Sequence, residues 1–145
     1  MNKDWNRKYM DLAVTVSGWS KDPSTKIGSV AIGGSGQVLA QGYNGFPRGI
    51  NDTSERYADR TEKYAYVVHA EMNTIYNACR NGVSLTDSTF YVHGLPVCNE
   101  CAKGIIQVGT KKVVMSGDRH NPRWVESCKK ACDLFDESGV EWEFI

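Results

Sequence analysis

Residues 68–117 read VHAEMNTIYNACRNGVSLTDSTFYVHGLPVCNECAKGIIQVGTKKVVMSG, and their alternation of patterns decides the fold. Residues 69–80 are helical in pattern and stop at Asn81-Gly82. Residues 88–93 are β-rich, residues 98–108 form a second helix closed by Gly109, and residues 111–116 are β-rich again. Strand, helix and strand in succession require parallel neighbours joined by a right-handed crossover. Downstream, residues 122–137 place Trp124, Cys128, Ala131 and Phe135 on one helical face, Gly139 stops the helix, and residues 140–145 form a last strand. Upstream, Trp5, Tyr9, Leu12, Val16 and Trp19 make a helical stripe over residues 5–20. Residues 26–33 and 37–43 form a hairpin through Gly33-Gly34-Ser35-Gly36. The polar stretch 44–68, with Pro47, is long for a connection and thus a candidate functional loop, with helix over residues 59–66. The order predicts one domain over residues 1–145, a three-layer α/β/α fold around a five-stranded mixed sheet.

Lys and Arg together number 17, as do Asp and Glu, so the formal net charge is zero. That argues against a polynucleotide substrate, which needs a basic surface, but leaves room for a mononucleotide held by a few local cations. There is no apolar run of membrane-spanning length, and the start MNKDWNRKYM carries no apolar signal core. The expectation is a cytoplasmic protein without membrane partners, with its five cysteines reduced.

His69, Cys98 and Cys101 offer one imidazole and two thiols, and Glu71 places a carboxylate beside them. Three protein ligands leave a tetrahedral zinc ion one open position for water. In a regular helix residues 69 and 71 point about 200° apart, so they share a site only at the helix start, where residue 69 can turn inward. Cys98 and Cys101, spaced i and i+3, lie on one face at the start of their own helix. Two helix N-termini then aim at one ion and favour the thiolate form. Zinc lowers the pKa of its bound water, but two thiolates cancel the ion's formal charge and blunt that effect. A general base is therefore useful, and Glu71 is placed to carry the proton. A closed, purely structural zinc would need a fourth ligand. Cys79 lies ten residues from His69 along one helix, about 15 Å away. Cys128 and Cys132 fall on an amphipathic face, which leaves only His93 and His120.

The H-x-E and C-x-x-C pattern belongs to zinc nucleoside and nucleotide deaminases. Further stretches narrow the resemblance: Asp22-Pro23-Ser24-Thr25-Lys26, Gly42-Tyr43-Asn44-Gly45-Phe46-Pro47-Arg48-Gly49, Val68-His69-Ala70-Glu71-Met72-Asn73, and Cys98-Asn99-Glu100-Cys101-Ala102-Lys103 followed by Ile105-Ile106-Gln107. On these the chain resembles the deoxycytidylate (dCMP) deaminases of the cytidine deaminase superfamily. The resemblance implies a cytidine deaminase-like fold and hydrolysis of dCMP to dUMP and ammonia for thymidylate synthesis. It implies Asn44 on the deoxyribose, Ala70 against the substrate, and Ser24, Thr25 and Lys26 near the 5′-phosphate. It also implies a homohexamer activated by dCTP and inhibited by dTTP, with Mg2+ accompanying the triphosphate. Effector contacts would fall on Gly42, Tyr43, Gly45, Phe46 and Arg48. The chain departs from the family where Val97 separates Pro96 from Cys98. Residues 50–68 contain neither Cys nor His, so one zinc ion per chain is expected.

Arg119 and His120 follow the predicted fourth strand at its carboxyl end, where open α/β sheets bind ligands, and are further candidate substrate contacts. Tyr91, Trp124 and Phe135 read as packing residues. Two rival functions share the metal motif: a base deaminase acting on tRNA or single-stranded DNA, which would need a basic strand-binding groove, and a non-catalytic deoxynucleotide sensor, which would not need Glu71.

Overall fold

The computed structural model describes residues 3–145. Its elements run α1 (Lys3–Ser17), β1 (Gly28–Ile32), β2 (Val38–Tyr43), α2 (Ser54–Ala58), α3 (Arg60–Tyr66), α4 (Ala70–Arg80), β3 (Thr89–Gly94), α5 (Asn99–Gln107), β4 (Lys112–Gly117), α6 (Val125–Ser138) and β5 (Glu141–Phe144). The hairpin pairs Gly28 with Tyr43 and Ala31 with Ala40, with a bulge between Ala31 and Ile32. Strand β1 also pairs antiparallel with β3, setting Val30 opposite Tyr91. Strands β3, β4 and β5 are parallel, and the sheet order is β2-β1-β3-β4-β5. This is the five-stranded mixed sheet with helices on both faces expected from the sequence.

Successive strand residues point to opposite faces, so the central strands feed two cores. Val30, Ile32, Tyr91 and Val114 pack against Tyr9, Met10, Ala13 and Val16 of α1. On the other face Ala31, Phe90, Val92, Val113 and Met115 meet Ala78 of α4, Ala102 and Ile105 of α5, and Ala131 and Phe135 of α6. Two right-handed crossovers stepping the same way along the sheet put α5 and α6 on one face. Helix α1 alone covers the other.

The helical stripe of α1 sits one step from where the sequence pattern set it. Tyr9 and Val16 are buried, but Trp5 and Trp19 are 45% and 52% exposed, and Met10 and Ala13 take the core positions instead. The helix ends at Ser17, so Trp19 leaves its axis and packs edge-on against Tyr43. In the polar stretch, α3 lies where helix was expected, while α2 was not anticipated. Thr53 caps α2 by accepting from the Arg56 N–H. Asp59 then closes α2 through its own N–H to the Glu55 carbonyl and caps α3 by accepting from Thr61 and Glu62. Capping of this kind holds five- and seven-residue helices that have no periodicity to betray them. Phe46 stacks on Tyr57 at 4.3 Å, fastening the inserted helices to the loop after β2.

Helix α4 lies hard against β2. A Cβ on Gly42 would stand 2.5 Å from the Thr74 nitrogen and 2.7 Å from the Ala70 carbonyl oxygen, both backbone atoms. Gly42→Ala is expected to destabilise the fold by about 1–3 kcal/mol, as overpacking does. That lowers the thermal midpoint by about 2–4 °C per kcal/mol in a chain of this size. An unchanged midpoint would contradict the close approach.

Candidate metal centre and cavity

His69 is the N-cap of α4 in extended conformation (φ −67°, ψ 154°), and its side chain makes no capping bond. The ring is thereby released from the helix periodicity and turns toward α5. Cys98 holds the same place on α5, also extended (φ −82°, ψ 164°), and its sulfur accepts from the Cys101 N–H. The turn leading to Cys98 starts at the carboxyl end of β3. Ser127 of α6 steadies α5 from outside, accepting from the Asn99 N–H and donating to the Asn99 side-chain oxygen.

The three ligand atoms meet. His69 Nδ1 lies 3.5 Å from Cys98 Sγ and 3.4 Å from Cys101 Sγ, and all three atoms fall within 4.8 Å of one another. A tetrahedral zinc with ordinary Zn–N and Zn–S lengths separates nitrogen from sulfur by roughly 3.6 Å, so the edges suit that ion. Among the described residues, no fourth His, Cys, Asp or Glu joins this group. Cys79 is exposed, Cys128 and Cys132 lie on α6, and the His93 Nδ1 pairs with Ser116 Oγ at 2.7 Å.

The electrostatics fit a cation. The Cys98 thiol is drawn down to about 4, first by its hydrogen bond with Cys101 and then by His69. The same bond, with burial, pushes Cys101 up, so the two sulfurs share a proton that a metal would displace. Glu71, in the first turn of α4, is 3% exposed, and burial raises its carboxyl to about 7, with the Cys98 charge adding to the rise. Its Oε1 is buried without a hydrogen-bond partner. An orphaned carboxylate oxygen costs stability unless something polar belongs against it. Beside a thiolate–imidazole cluster, that something fits a metal-held water and a substrate proton.

His69 also lines a cavity of about 310 Å³, within the range of small-ligand pockets. Of the residues marked from sequence, Ser24, Thr25 and Asn44 line it. Asn44 is 4% exposed, and its amide bridges the backbone: Oδ1 accepts from Ile27 N–H at 2.9 Å, and Nδ2 donates to the Thr25 carbonyl at 2.9 Å. Ala70 is fully buried next to His69. Lys26 is not among the lining residues, since its ammonium donates to the Ser20 carbonyl. Arg119 and His120 are exposed outside it, with Arg119 lying 4.1 Å over the Phe144 ring. Tyr43, Gly45, Phe46 and Arg48 line a separate cavity of about 290 Å³ against α4, and Arg48 donates to Asn77 at 2.7 Å. Gly42 lies under α4.

Other residues complete the cavity without having been marked. Arg60, Lys63 and Tyr64 come from α3, and Arg123 and Trp124 from the turn before α6. Trp124, expected to be packing, is half-buried on the cavity wall because α6 begins only at Val125. Lys63 is bound to Asp22 at 2.9 Å, with side-chain exposures of 14% and 2%. Asp22 also accepts from the N–H groups of Ser24 and Thr25, so its charge is satisfied from several sides. The only sequence signal for Arg60 and Lys63 was their place in a long polar insertion, and for Arg123 its place in the turn after the fourth strand.

Residues 3–117 match the family model described as the cytidine and deoxycytidylate deaminase zinc-binding region. A probable deoxycytidylate deaminase of Drosophila melanogaster is 35% identical over 96% of this chain and 71% of its own length. The deoxycytidylate deaminase of Homo sapiens is also 35% identical, over 94% of this chain and 77% of its own. Among solved structures, the dCMP deaminase of cyanophage S-TIM5 in complex with dCMP and dUMP superposes with a TM-score of 0.80 at 26% identity, covering 100% of this chain and 99% of that one.

Proposed function

This chain belongs to the cytidine and deoxycytidylate deaminase zinc-binding family, and from that premise we propose that it hydrolyses dCMP to dUMP and ammonia. The observation that carries the reading is the His69, Cys98 and Cys101 cluster with the unpartnered Glu71 Oε1 buried beside it. His69, Cys98 and Cys101 would hold zinc, which would supply an acidified water. Glu71 takes the proton of that water and delivers it to ring N3 of the cytosine as the C4–O bond forms. It then takes the remaining proton from the new C4 hydroxyl and passes it to the amine as the C4–N bond breaks, so one water is consumed for each ammonia released. A carboxyl whose pKa lies near neutrality suits a group that must both accept and return a proton. Asn44, Ala70, Ser24 and Thr25 are proposed to hold the nucleotide where His69 opens to the cavity. Support for a mononucleotide over a nucleic-acid strand comes from the small cavity and the zero net charge.

The same family resemblance carries regulation by dCTP as activator and dTTP as inhibitor, with Mg2+ on the triphosphate, in a cytoplasmic homohexamer. The loop after β2 is a reasonable place for such control. Gly45 and Val68 exchange backbone hydrogen bonds at 3.1 and 2.8 Å, and Val68 is bonded directly to His69. Among the described residues no helix is long and apolar enough to cross a membrane.

Steady-state assays of the zinc-loaded protein test the reading. The expected outcome is rapid turnover of dCMP and a far lower kcat/KM for deoxycytidine, with dCTP raising and dTTP lowering the rate. Failure to deaminate either compound with zinc bound would overturn the dCMP reading. Unchanged rates with both triphosphates would remove the regulatory part alone.

A further inference from the structure

The cavity has a charge imbalance that its protein partners do not cancel. Its lining includes three cations, Arg60, Lys63 and Arg123, and a single carboxylate, Asp22. Asp22 and Lys63 neutralise each other in a buried pair. Among the described residues neither Arg60 nor Arg123 pairs with a carboxylate, which leaves two positive charges facing the cavity. A phosphomonoester carries about −1.5 to −2 at neutral pH, so the imbalance matches one such group.

The two arginines line the same cavity from different elements. Arg60 and Tyr64 are i and i+4 on α3, hence neighbours on one face. Arg123, from the turn before α6, lies 5.5 Å over the Tyr64 ring. Tyr64 thus ties the arginine before α6 to the helix that carries Arg60. The Lys63–Asp22 pair anchors α3 to the turn that carries Ser24 and Thr25, so the insertion cannot drift from the cavity without breaking a buried ion pair. Arginine is suited to the task, because its planar fork meets phosphate oxygens two at a time.

Resting on the dCMP reading above, we infer that Arg60 and Arg123 are the side chains that bind the 5′-phosphate and set the preference for nucleotide over nucleoside. Lys26 is not placed to do this, its ammonium being held on the Ser20 carbonyl. Lys63 is a positioning residue, committed to Asp22.

The test compares dCMP with deoxycytidine for the wild type, Arg60→Gln, Arg123→Gln and the double variant, all at matched zinc content. Each single change should lower kcat/KM for dCMP about 10- to 100-fold, the size of a charge-assisted hydrogen bond, mainly through KM. The double variant should lose most of the discrimination between dCMP and deoxycytidine, and Arg60→Lys should recover part of it. No loss, or a loss shared equally by both substrates, overturns the assignment. Calorimetric binding of dUMP and deoxyuridine separates this from failure of the substrate reading. If the wild type deaminates nothing yet binds dUMP more tightly than deoxyuridine, and the double variant erases that difference, the arginine assignment stands and the dCMP deamination reading falls. A difference that survives in the double variant, or is missing in the wild type, overturns the assignment.

Discussion

Glu71→Gln should keep its zinc and lose turnover of dCMP by about 10²–10⁴-fold, the range spanned by loss of a general acid–base group. The amide has nearly the carboxylate's shape, so the first turn of α4 and the His69 cap keep their geometry. What disappears is the ability to take a proton and give it back. The environment is consistent with that role, since Glu71 Oε1 is buried without a protein partner and so suits a polar group brought against it. The check is kcat for dCMP together with metal content by elemental analysis. A kcat within a few-fold of wild type, with zinc present, would remove Glu71 from the proton path. Loss of zinc along with activity would make it a ligand or a support of one.

Cys101→Ser should abolish activity through the metal itself. In the proposed site Cys98 and Cys101 would supply the negative charge that holds the ion, and a serine hydroxyl at either place stays protonated at neutral pH. Chelation of the wild type should give the same inactive state, reversible by added zinc, whereas the variant should not recover. Anything that binds only the folded chain stabilises it, by about 4 kcal/mol when present at a thousand times its dissociation constant, so chelation should also lower the thermal midpoint. The sign of the pH effect follows from the sulfurs. Burial and the Cys98 hydrogen bond keep Cys101 protonated, and zinc must displace that proton, so apparent zinc affinity should fall as pH falls. A Cys101→Ser protein with stoichiometric zinc and full activity would place the metal elsewhere.

The metal motif could be read from the chain because its geometry is local. The i and i+3 spacing of Cys98 and Cys101 and the placement of His69 at a helix start each depend on a single turn of backbone. The parallel strands could be read for a similar reason, since a strand–helix–strand succession has one favoured hand and direction. The inserted segment was legible only in part. Helix α3 had enough pattern to be expected, but α2 rests on the Thr53 cap and on Phe46 packing against Tyr57, contacts that no short window of sequence displays. The α1 stripe was misplaced because Trp5 and Trp19 are large and apolar, yet position on the helix, not size, decides which side chains meet the sheet.

Residue spacing therefore pointed to the fold class, the His69, Cys98 and Cys101 cluster and the proposed acid–base residue, because those follow from helix and strand periods and from the ligand preferences of zinc. The tertiary structure alone decided the sheet order, with β1 inserted between β2 and β3, and the composition of the cavity wall. It turned Lys26 onto a backbone carbonyl, cancelled Lys63 with Asp22, and brought Arg60 and Arg123 to the wall of one cavity, across 63 residues of chain. Whether a cation is free for a ligand depends on which carboxylates the fold brings beside it. That is a matter of distances between segments far apart in the chain, and residue spacing carries no trace of it.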